Sequence, residues 1–64
     1  MNKSERKEVN KALAYASAGY IDIAARTLAT LVRSARTTRS RNELITLAAG
    51  YPAIAQHAEV RSAL

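Results

Sequence analysis

In the stretch IDIAARTLATLVRSAR, residues 21–36, the apolar side chains fall at Ile21, Ala24, Ala25, Leu28, Leu31, Val32 and Ala35. That 3.6-residue period lays one stripe along a helix and does not fit the strict alternation of a half-buried strand. A chain of 64 residues carrying such a stripe must bury it against a few more short helices, since helix formers dominate and β-branched runs are short.

The neighbouring segments repeat the pattern. Asn2 and Ser4 are candidate N-caps, and Glu5 stands three residues after Asn2, as a capping box requires. Val9, Ala12, Leu13 and Ala16 then carry a first helix from about Ser4 to Ala18. Gly19 suits the residue after its end, which adopts positive φ. Asp22 complements the start of the second helix, and that helix is expected to end near Arg36 or Thr37. "TTRS", residues 37–40, reads as a polar linker, with Ser40 and Glu43 forming a second capping box. Leu44, Leu47 and Ala48 face one side of a short third helix stopped by Gly50. Pro52 opens a fourth that runs to the C-terminus, with Ile54, Ala55 and Ala58 inward.

An internal echo supports this division. A-G-Y-x-x-I-A occurs at residues 18–24 and again at 49–55, 31 positions apart. It reads as two tandem helical hairpins, with a helix, a Gly cap, a Tyr over the turn and a second helix entering on Ile-Ala. The expected architecture is all-α, with three to four short helices in a single domain over 1–64. Hairpin one spans about 4–37 and hairpin two about 40–64. Ala occupies 14 positions while Phe and Trp are absent, so the core is thin for a domain near the lower size limit of independent folding. There is no Cys and only one His, which leaves neither a disulfide nor a structural zinc site to compensate. A homodimer is therefore expected, the alternative being a weakly stable monomer. The absence of Cys, of a ~20-residue apolar span and of an apolar leader points to a cytoplasmic location with no membrane partner.

Two partial family likenesses bear on function. The spacing Tyr15, Gly19, Ala24, Leu28 resembles one tetratricopeptide hairpin, a family that stacks helix pairs and binds peptides between them. Glu8 and Lys11 stand where that pattern wants apolar or aromatic residues, and Arg36 replaces its closing Pro, so the likeness is read as convergence on hairpin packing. The tail, with Ile54, Ala55, Ala58 and Val60, looks like the start of a bacterial helix-turn-helix. Only four residues follow Val60, too few for a groove-filling helix. The tail is read as an ordinary amphipathic helix.

The chemistry-bearing inventory excludes more than it offers. Glu5, Glu8, Asp22, Glu43 and Glu59 sit where caps and solvent-facing turns put them, and His57 has no Ser or Cys partner at readable spacing. No Gly-rich loop cradles phosphate. The expectation is a protein that is not an enzyme and takes no cofactor and no metal. Tyr20 and Tyr51, each beside a Gly turn, are expected to cover the core and point their hydroxyls to water.

Charge is the most informative feature. Residues 23–42 hold Arg26, Arg33, Arg36, Arg39 and Arg41 and no acid, whereas residues 1–22 carry a net +1 and residues 43–64 a net −1. Arg26, Arg33 and Arg36 fall within an arc of roughly 80° on the second helix. Arg39 and Arg41 extend the positive surface into the linker. Unneutralised arginines favour a polyanion, and the guanidinium fork suits phosphate. The expected function is a small regulator that binds nucleic acid through these five residues, chiefly by backbone phosphates and without strong sequence readout. The alternative is a protein-interaction module, an adaptor or inhibitor of helical-hairpin type, that docks an acidic or helical surface of a partner.

Overall fold

The computed structural model describes residues 1–64 and contains five helices and no strand: α1 (Lys3–Ser17), α2 (Ile21–Ser34), α3 (Thr38–Ala49), α4 (Pro52–Ala55) and α5 (Ala58–Ala63). α2 is the central element and packs against all four others, while α3 and α4 also touch, as do α4 and α5. No helix is long and apolar enough to cross a membrane.

Asn2, not Ser4, caps α1. Its side-chain oxygen accepts from the Glu5 N–H at 2.8 Å, and the Glu5 carboxylate accepts from the Asn2 N–H at 3.0 Å, so the capping box is reciprocal. At the other end, Gly19 adopts φ +94°. The Tyr20 N–H donates to the Tyr15 carbonyl at 2.9 Å and the Gly19 N–H to the Ala16 carbonyl at 3.1 Å. Together these two bonds make a Schellman termination, and the hydrophobic contact that accompanies it is the edge-on packing of the Tyr20 ring on Tyr15, centroids 6.2 Å apart.

α2 stops at Ser34, two to three residues before the expected end, because Ala35 is extended (ψ 128°). The Thr27, Thr30 and Ser34 hydroxyls each donate to a carbonyl four residues earlier, at 2.8–3.0 Å, and such back-bonding loosens a helix. The "TTRS" segment is not a linker. Thr37 is the N-cap of α3, its Oγ1 accepting from the Ser40 N–H at 3.1 Å. Ser40 lies inside the helix, 8% exposed, on the same face as Leu44 and Ala48. The expected Ser40–Glu43 box does not form.

Pro52 opens α4 as its fixed φ allows. The single fourth helix expected from the sequence is instead broken at Gln56–His57. Ile54 and Val60 are both fully buried, yet on one continuous helix they would lie about 120° apart. The extended backbone at His57 (ψ 137°) re-aims the chain so that both reach the core, and it leaves Ala58 exposed rather than inward. His57 holds this break. Its Nδ1 accepts from the Glu59 N–H at 3.2 Å, capping α5, and its Nε2 lies 2.9 Å from Asp22 Oδ1 on α2. Nδ1 as an acceptor leaves the proton on Nε2, which donates to the carboxylate.

The core joins Val9 and Ala12 of α1, Ala24, Ala25, Leu28, Leu31 and Val32 of α2, Leu44 and Ala48 of α3, Ile54 and Val60. Small side chains at Ala12, Ala24 and Ala25, all fully buried, let the first two helices approach closely. Two inward expectations fail. Ile23, the counterpart of Ile54 in the sequence echo, is 43% exposed, because inward positions of α2 cluster on the arc from Leu31 through Ala24 to Ala29. Tyr20 and Tyr51 are likewise exposed, at 58% and 42%, and do not cover the core.

Candidate nucleic-acid interface

All five arginines singled out by charge are exposed. Arg26 and Arg33 share one face of α2, about 20° apart around the axis and about 10.5 Å apart along it. On that outer face the hydroxyl protons of Thr27, Thr30 and Ser34 are spent on their own backbone, so the guanidinium groups are the donors that face solvent. Arg36 follows in the three-residue connector Ala35–Thr37.

Arg39 and Arg41 are not linker residues. Two positions apart on α3, they project about 200° from each other and cannot fall on one line. Arg39 Nε sits 3.5 Å from Glu43 Oε1, one turn on, with Arg39 highly exposed and Glu43 half-buried. Glu43 is also held by the N-terminal ammonium at 3.2 Å. The hydrogen bond and charge of that ammonium keep the Glu43 carboxyl below its ordinary value against an opposing desolvation, with the Arg39 guanidinium adding a lesser lowering. Arg26, Arg33, Arg36 and Arg41 form no ion pair.

Starting α3 at Thr38 exposes a surface that charge alone does not mark. Thr38, Asn42 and Thr46 follow one another at i, i+4 and i+8 on its solvent side. None of these three side chains makes a hydrogen bond within the chain. Along one flank an open groove separates α3 from the start of α1, lined by Met1 and Arg6 on one side and by Thr38, Arg39, Asn42 and Thr46 on the other. The signal that finds this face is the spacing Ser40, Leu44, Ala48, which extends the buried stripe of α3 back through the supposed linker. The groups of acidic, His and Cys side chains that would hold a metal ion are absent. Comparison of the chain with protein-family models, with curated proteins and with solved structures finds no match.

Proposed function

We propose that the chain is a small non-enzymatic regulator that binds nucleic acid, with Arg26, Arg33, Arg36, Arg39 and Arg41 on backbone phosphates. The observation that carries this reading is that four of the five guanidinium groups are exposed and free of any carboxylate partner. Glu43, the acid nearest Arg39, is held by both the amino terminus and Arg39, while Glu8 and Asp22 lie near Arg26 without forming an ion pair with it. Arginine clustered without counter-charge favours a polyanion because binding releases condensed counterions.

Titration of the full chain against DNA and RNA at several salt concentrations tests the proposal. Each phosphate contact to duplex DNA contributes about −0.9 to the slope of log affinity on log salt, so Arg26→Ala with Arg33→Ala together flatten it by about 1.8. Absence of binding to either nucleic acid at low salt ends this reading in favour of a protein-docking module, for which the exposed Tyr20 and Ile23, the latter in one cleft with Arg26, supply apolar contacts. The same reading includes two tandem hairpins paired into a homodimer, supported by a core of only 12 buried apolar residues. Sedimentation equilibrium, giving one or two times the 6.9 kDa chain mass, decides the assembly.

A further inference from the structure

We infer that the outward face of α3 reads base edges in the major groove of duplex DNA, adding sequence preference to the phosphate contacts. The inference rests on the nucleic-acid binding proposed above and names its substrate class. Around the helix axis, Arg41 and Arg39 bound an outer arc of about 160°, and within it lie Thr38, Asn42 and Thr46. A helix about 10–12 Å wide fits a groove about 12 Å wide, and cations on its opposite flanks then reach the two opposite phosphate walls.

Between those walls Ala49 and the partly buried Ile45 are apolar, and the polar groups are ones that read bases. Asn pairs bidentately with adenine, and Thr hydroxyls take either a donor or an acceptor. These side chains have no partner within the chain, in contrast to the hydroxyls of α2, which are bonded to their own helix. Glu43, the only acid on α3, is turned to the flank and paired. The three-residue connector Ala35–Thr37 has the length of the turn between a backbone-crossing helix and a reading helix, and it carries Arg36 at that junction. The major groove of A-form RNA is too deep and narrow to admit such a helix, which makes duplex DNA the substrate.

Selection from a randomised duplex DNA pool, followed by anisotropy titrations of the chosen duplex, a scrambled duplex and duplex RNA, tests the inference. The wild-type chain is expected to enrich a short adenine-containing motif. Asn42→Ala, at an exposed site, lowers the preference for that motif over the scrambled duplex by about 5- to 150-fold. The salt slope stays as in the wild type. Arg26→Ala with Arg33→Ala moves the slope instead. Equal affinity for chosen and scrambled duplexes, or equally tight binding to duplex RNA, overturns α3 as a reading helix while backbone binding stands. No binding to any of the three at low salt overturns both.

Discussion

Replacing Gly19 and Gly50 by alanine, one at a time, is expected to move stability in opposite directions, although both glycines sit in the same A-G-Y context. A Cβ built on Gly19 meets nothing within 4 Å, so no clash contributes and the whole cost is conformational. At φ +94° an L-residue is strained by about 1–2 kcal/mol. Stiffening of the unfolded chain recovers about 0.4–1 kcal/mol of that. The net loss is about 1 kcal/mol, or about 4–8 °C in Tm for a domain of this size. Gly50 has φ −74° and ψ −8°, right-handed helical values open to any residue. A Cβ there lies 3.4 Å from the Leu47 carbonyl oxygen, an ordinary contact. Alanine at 50 therefore keeps only the unfolded-state benefit and stabilises by about 0.4–1 kcal/mol. Urea unfolding followed by far-ultraviolet circular dichroism, at one protein concentration, reads both. A Gly19→Ala chain as stable as wild type, or a Gly50→Ala chain that loses stability, refutes the conformational reasoning.

Two further expectations follow from the polar contacts. His57→Ala removes the α5 cap and the tie to Asp22, lowering stability by about 0.5–2 kcal/mol in the same assay, whereas His57→Asn keeps a good capping oxygen and loses less. The Glu43 carboxyl is depressed in the folded chain, so its contribution is present above the ordinary value of 4.5 and disappears as pH falls through the lower folded value. Glu43→Gln is thus expected to unfold more readily than wild type at pH 7, with the two converging on acidification below that value; a constant gap across the pH range contradicts this.

Local rules went far with this chain. The capping box at Asn2, the Gly termination at 19, the α2 stripe and the Pro start at 52 are short-range effects written into a few adjacent residues. What local pattern missed were decisions made by packing. Thr37 and Ser40 both satisfy the chemistry of an N-cap, and the burial of Ser40 beside Leu44 and Ala48 selects Thr37. That one choice carried Arg39 and Arg41 from a supposed loop onto two sides of a helix. The break at His57 was likewise invisible locally, because it answers the need of Ile54 and Val60 to enter one core and uses a carboxylate 35 residues away. The sequence echo marked real helix ends but not equivalent surroundings, since Ile23 and Ile54 meet opposite environments.

Because α2 is the shared neighbour of every other helix, while α1 packs on no helix besides it, the molecule is organised around a hub. Amides at the centre of α2 are expected to exchange only when the entire chain opens. Those of α1 and α5 are expected to exchange through smaller, local openings as well. Severing the chain inside α2 would disrupt the only neighbour of α1 and leave α3, α4 and α5 with little beyond their contacts with one another.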